Sequence, residues 1–374
     1  VLETILTVDA FENATQSAAD RGDGKRDFQC ESFIFLADQA NMPYGNYPVI
    51  GKDNFLDDLI VKDAQFLMGR KVFRASGPRQ FTVAQKQPVK AIVIACNTAT
   101  AYGQEDIEQV IREAGLDIKV VGVIDAGAKG AVNVFRNGEA GSIAVVPTKG
   151  TVLSGAYPEA IRRNVEAEKL TQRIDVFQQG AFGLAGAIDG AREFILSGAE
   201  SRNPRKDYRG PSLTREDSRI NGEILPRYDF DFTDHQMLYS GSEEAPTELQ
   251  LNSVENYIAF HLVSLLEQLR ASGDAPPLRA IILGCTHFPF YKKAFASELD
   301  RLRDYQENGQ YVYRPYLAEK IELIDPAYFT ARELYQSLAD DNRLKKRTSD
   351  DRAARGEFYV TIPCREKTKV ELDD

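Results

Sequence analysis

Two short runs constrain the fold more than anything else in the chain. AIVIACNTAT (91–100) and AIILGCTHFP (280–289) each begin with four or five apolar residues in almost unbroken succession, then turn to a cysteine and hydrogen-bonding side chains. A short, β-branched run without alternation reads as a strand covered on both faces, the signature of a parallel α/β sheet. In open α/β sheets, ligands bind beyond the carboxyl ends of such strands. Either cysteine alone reads first as a packing residue, because free thiols rank among the most buried side chains. Cys96 and Cys285 lie 189 positions apart at matching places, and packing explains two such placements far less well than one.

Strand-like runs recur at 33–37, 91–95, 119–124, 142–146, 174–177, 280–283 and 322–324. Helical patterns lie between them, among them 106–114 and 54–70, the latter with Leu56, Leu59, Ile60 and Leu67 on one stripe. This alternation in 374 residues predicts two α/β units in tandem. From 198 to 246 the pattern breaks into residues rich in charge, proline, glycine and asparagine, read as an inserted, mainly solvated excursion with some local structure. A smaller surface insertion is expected at 16–27, and a charged linker at 340–355 before a late strand at 357–361.

Composition narrows the function classes. A net charge of −10 argues against a general nucleic-acid surface, and no apolar run approaches the roughly 20 residues of a membrane span. Four scattered cysteines are too few for a disulfide framework at this length and favour a reducing setting. The expectation is a cytoplasmic protein. Three histidines, without CxxC or HExxH spacing, give little support to a metal site. Cys30 and Cys364 follow no comparable strand and are read as structural.

Two thiols at equivalent strand ends suit one chemistry in particular. Inverting a stereocentre by proton transfer needs a base on one face of the carbon and an acid on the other. A thiol and a thiolate can exchange those roles, and helix N-termini favour the ionised form. Both cysteines precede a predicted helix start, and His287, two residues past Cys285, can shuttle a proton. No metal is called for, and no lysine stands in a setting that suggests pyridoxal phosphate. No cofactor is therefore expected.

In these residues the sequence resembles the aspartate/glutamate racemases. The likeness runs through ADQANMPYG (37–45), ACNTATA (95–101), GVIDAG (122–127), TKGTVLSGAY (148–157), LGCTHFP (283–289) and LIDPAYFTAREL (323–334), in the family's order. The PYG motif and the histidine of GCTH resemble the glutamate branch. The resemblance implies two flavodoxin-like parallel-sheet domains facing each other across an active-site cleft. It places 1–122 and 308–374 in the first domain and 123–307 in the second, with the insertion at 198–246. It implies Cys96 and Cys285 as the acid/base pair, the former serving D-glutamate and the latter L-glutamate, with His287 assisting Cys285. Pro43, Tyr44, Gly45, Asn97, Thr98, Thr148, Thr151 and Thr286 match positions that line the small-molecule substrate. It further implies a homodimer that supplies D-glutamate for peptidoglycan.

The departures are as informative. The family opens on a strand and an Asp-Ser-Gly motif, whereas VLETILTV resembles the helix that follows them. A helical glutamate of the second domain is replaced by Asp189, whose reach is shorter by a methylene, so it is not counted as an acid/base partner. GVIDAG lacks a usual proline, and Phe288 stands for a common tyrosine. Two alternatives stay open: a racemase of aspartate or another amino acid, and a catalytically silent relative that binds or regulates.

Overall fold

The computed structural model describes residues 1–13, 15, 17–18, 22–77, 80–345 and 356–362. The chain divides into two compact units, Val1–Val123 with Ala327–Asp374, and Ile124–Pro326.

The second unit is built on a four-stranded parallel sheet in the spatial order Leu317–Ile324, Leu278–Gly284, Gly141–Pro147, Ile174–Gln178. Its two inner strands lack alternation because both faces are covered: Ile143, Ala144, Val145, Val146, Ile281, Ile282 and Leu283 are all fully buried. Their register pairs Leu283 with Val146 and Gly284 with Pro147, so Cys285 and Thr148 leave the sheet side by side at its carboxyl edge. Glycine is required at 284, since a Cβ there would stand 2.9 Å from the Pro147 ring. The helix Val254–Ser272 packs into the same core, started by Ser253, whose hydroxyl accepts from the Asn256 amide. It is buried almost all round, so it shows no clean apolar stripe in the sequence.

The segment 198–246 is not the solvated excursion expected. Ile220, Tyr228, Met237 and Leu238 are buried, and a hairpin pairs Met237–Gly241 with Pro246–Leu251. Arg227 ties the segment down through Glu267 and Glu307, both at 2.8 Å. Single apolar anchors scattered among charges leave no periodic signal, which is why this segment reads as solvated. Ile220→Ala is accordingly expected to cost about 2–5 kcal/mol in denaturant unfolding, the range for a truncated core aliphatic. A loss below about 0.5 kcal/mol, the scale of a surface change, would return the segment to the solvated class.

In the first unit two parallel pairs carry the fold: Phe33–Ala37 with Gly356–Val360, and Ala91–Ile94 with Lys119–Gly122. They form separate pairs among the described residues, both of the parallel α/β kind expected. The helices Asp53–Met68 and Asn97–Glu113 pack through Leu56, Ile60 and Ala64 against Ala99, Ile107 and Ile111. The second helix starts at Asn97, well before the expected 106, because the polar CNTAT turn is its first turn. A hairpin of Lys71–Gly77 with Gln80–Gln85 was not anticipated.

Two further boundaries move. The run 119–124 ends as a strand at Gly122, and Val123–Val132 is helical, with Ala126, Ala128 and Ala131 buried. The chain passes back to the first unit at Pro326/Ala327 and not at 308, because Leu317–Ile324 is bonded to Leu278–Gly284. Cys364 and parts of the 16–27 and 340–355 segments lie outside the described residues.

Candidate active site

Cys96 occupies the N-cap of the helix Asn97–Glu113, in an extended conformation directly after the strand Ala91–Ile94. Burial pushes its thiol above the ordinary value, while the amides of Ala99 and Thr98 and the Thr98 hydroxyl pull it back down. A thiolate there accepts from the first turn of a 17-residue helix. The turn is braced by Thr100, whose hydroxyl donates to the Cys96 carbonyl at 2.8 Å. Asn97 and Thr98 are themselves buried in that first turn. In the same unit Tyr44 is buried in the turn before the short helix Asn46–Val49, with Pro43 exposed and Gly45 half-buried.

The second unit assembles a three-residue relay. Cys285 Sγ lies 3.2 Å from His287 Nδ1, and His287 Nε2 lies 3.2 Å from Asp189 Oδ1. With the ring hydrogen on Nε2, the imidazole donates to Asp189 and turns its Nδ1 lone pair towards the thiol. In this arrangement the imidazole can take a proton from the Cys285 thiol, with the Asp189 carboxyl behind it. The shorter aspartate does reach, because the Leu184–Ile188 helix ends at residue 189 and presents it there. The reach that the sequence reading discounted is therefore present. Tyr157, fully buried, is pushed up by burial first and then by the negative charge of Cys285 and Asp325, so its hydroxyl keeps its proton.

Thr148 caps the helix Lys149–Ser154, its Oγ1 accepting from the Thr151 amide at 3.4 Å and lying 3.1 Å from the Thr151 hydroxyl. Thr286 is half-buried between Cys285 and His287. Cys285, His287, Thr148, Thr151 and Thr286 therefore share the second unit, and Cys96, Asn97, Thr98, Pro43, Tyr44 and Gly45 the first. No group of three or more His, Cys, Asp and Glu is placed to hold a metal among the described residues, and no helix there is long and apolar enough to cross a membrane.

His261 shows the contrast with His287. It is fully buried, with Nδ1 3.2 Å from the Gln179 amide and Nε2 3.1 Å from the Phe182 carbonyl. Burial lowers its pKa to about 4. The unfolded chain takes up a proton near pH 6.5 and the folded one does not, so His261 stabilises the fold fully above that pH and the contribution fades towards pH 4. Asp63, raised to about 6 by burial, works in the opposite sense over the same window. The decisive comparison is therefore His261→Gln against the parent: the variant should lose less stability between pH 6.5 and 4.5. Identical pH slopes in denaturant melts would contradict it.

Two parallel-sheet α/β units, each placing a cysteine at the carboxyl end of a strand, are the layout expected of the aspartate/glutamate racemase class. Within that class, the similarity points to glutamate racemase. The chain is 34% identical over 148 residues to the glutamate racemase of Geobacter metallireducens, covering 39% of this chain and 44% of that one. It is 39% identical over 144 residues to that of Levilactobacillus brevis, covering 38% and 41% respectively. The chain thus matches less than half the length of these curated relatives. A glutamate racemase isoform from Bacillus anthracis shares the fold at a TM-score of 0.50 and 21% identity, over 89% of this chain and 80% of its own. The chain matches no protein-family model. The resemblance drawn from the motifs is borne out by these relatives.

Proposed function

We propose that this chain interconverts L- and D-glutamate by a cofactor-independent, two-base proton transfer at the α-carbon. The observation that carries the reading is the Cys285–His287–Asp189 relay, which gives one of the two matched thiols a built-in proton acceptor. In this reading the Cys285 thiolate removes the α-proton of L-glutamate, and the Cys96 thiol delivers a proton to the opposite face. Cys96 is left as thiolate and Cys285 as thiol, ready for the reverse turnover from D-glutamate. The chemistry needs one sulfur on each face of the same carbon. Charge developing on the substrate carboxylate meets hydroxyl and amide donors of the kind offered by Asn97, Thr98, Thr148, Thr151 and Thr286. Tyr44 and its neighbours Pro43 and Gly45 complete the proposed lining. The likeness to glutamate racemases also supports a cytoplasmic homodimer that feeds peptidoglycan synthesis.

Incubation with pure L-glutamate, with chiral chromatography of the product, tests the activity, and L-aspartate and other L-amino acids test its selectivity. Conversion of glutamate to an equal mixture in the presence of a chelator and a carbonyl reagent is the expected result. Faster conversion of another amino acid would move the assignment, and no conversion of any would leave the silent-relative reading in its place.

A further inference from the structure

The first unit holds a partly buried cluster around Tyr44, whose carboxyl groups the proton-transfer scheme does not use. The Tyr44 hydroxyl lies 2.5 Å from Asp38 Oδ2 and 3.0 Å from Asp63 Oδ2, so one phenol sits between two carboxyl groups. Asp38 is further satisfied by Asn41, whose Nδ2 donates to both of its oxygens, and by the Thr361 hydroxyl at 2.5 Å. Thr361 also accepts from the Ala40 amide, and its own amide donates to the Ala37 carbonyl. The turn that carries Pro43, Tyr44 and Gly45 is thus tied to the helix Asp53–Met68 through Asp63 and to the end of the strand Gly356–Val360 through Thr361.

Counting protons defines how the cluster works. Two contacts along Asp63, Tyr44 and Asp38 need two hydrogens, and the phenol supplies one. The phenol proton points to Asp38, the nearer of the two carboxyl groups and the one that Asn41 and Thr361 also donate to. Below about pH 6 a protonated Asp63 supplies the second hydrogen and donates it to the phenol oxygen.

We propose that Asp38 and Asp63 are positioning residues that clamp Tyr44 between them and so hold the Pro43-Tyr44-Gly45 turn in place for substrate binding. The proposal rests on the reading of that turn as substrate-lining. Burial and the charge of Asp38 raise Asp63 to about 6, and the Tyr44 hydroxyl pulls it down. The charged or titratable groups acting on Asp63 are thus Asp38 and Tyr44, from the turn packed against its helix. Above that pH, ionisation of Asp63 removes the second hydrogen and sets two carboxylates against one phenol. The clamp is therefore firm in mild acid and looser above neutrality.

The test uses the full chain and measures kcat and KM for L-glutamate at pH 6 and 7.5. Asp63→Leu is expected to raise KM about fivefold at pH 6, as loss of one hydrogen bond does, and by less at pH 7.5, where the parent has already lost it, with kcat within about twofold. Asp63→Asn keeps a permanent donor to Tyr44, so its KM should match or fall below the parent's and stay constant between the two pH values. Unchanged KM in both variants, a fall in kcat with KM untouched, or a parent-like pH dependence in Asp63→Asn would overturn the proposal. Should Asp63→Leu not fold, the pH comparison with Asp63→Asn decides alone. A second readout separates this idea from the racemase reading. In the chain labelled with ¹³C at aspartate carboxyls, the resonance missing from Asp63→Asn should titrate with a midpoint near 6. That midpoint should move down in Asp38→Asn. A midpoint near the ordinary value of about 4 would overturn the clamp whether or not glutamate is turned over.

Discussion

Cys96→Ser and Cys285→Ser should each lower racemisation of glutamate by about 10³-fold, the scale of losing a proton-transfer group. A serine hydroxyl is too weak an acid to ionise where a thiol does, so each variant retains one competent sulfur. That sulfur still serves one face of the carbon. Cys96→Ser keeps Cys285 and should exchange the α-proton of L-glutamate with solvent faster than that of D-glutamate; Cys285→Ser should show the opposite preference. Full racemase activity in either variant would contradict the pairing of these two thiols, and equal exchange from both enantiomers would contradict the division of faces.

The second large effect falls on the relay. His287→Asn removes the group proposed to accept the Cys285 proton, and should reduce kcat/KM by about 10²-fold. Asp189→Asn leaves the imidazole in place but removes the charge that orients it and stabilises its protonated form. About a tenfold loss is expected, in line with removal of an orienting partner behind a histidine. The enantiomers have equal free energy, so kcat/KM must fall equally in both directions, however one-sided the damage. The asymmetry belongs in kcat and KM taken separately. A His287→Asn variant with parental kcat/KM would reduce the 3.2 Å contact between His287 and Cys285 to packing.

What the sequence discloses of this fold follows from where burial is periodic. Both inner strands of the second sheet could be read because two-sided burial produces runs such as AIIL and IAVV, which few other structures accommodate. The thiols were legible because each run stops at one. The hairpin of Lys71–Gly77 and Gln80–Gln85 left a signal that went unused: two aromatic and β-branched runs around a Gly-Pro pair. The helix Val254–Ser272 hid for the opposite reason, since a helix buried on nearly every side has no polar face to mark its period. In the 198–246 segment, burial depends on a few separated residues such as Ile220 and Tyr228, which no window of sequence distinguishes from exposed ones.

At the candidate site the limit was geometry. Replacing a glutamate by Asp189 shortens the side chain, and sequence alone reads that as lost reach. The position of the Leu184–Ile188 helix end makes up the difference and brings the carboxylate to His287. The clamp on Tyr44 was equally invisible, because Asp38, Asp63 and Thr361 are far apart in sequence and meet only through tertiary structure. Asp63 lies on a helix whose apolar stripe was recognised, where a single carboxylate reads as part of the solvated face.

A two-base transfer requires that different groups carry the proton off and on. Turnover of protiated L-glutamate in deuterated water, stopped below about 10% conversion, tests it most directly. Two bases predict D-glutamate that carries deuterium at the α-carbon while the remaining L-glutamate keeps its protium. Protium carried over into D-glutamate, or deuterium accumulating in unreacted L-glutamate as fast as product forms, would show a single base at work and contradict it.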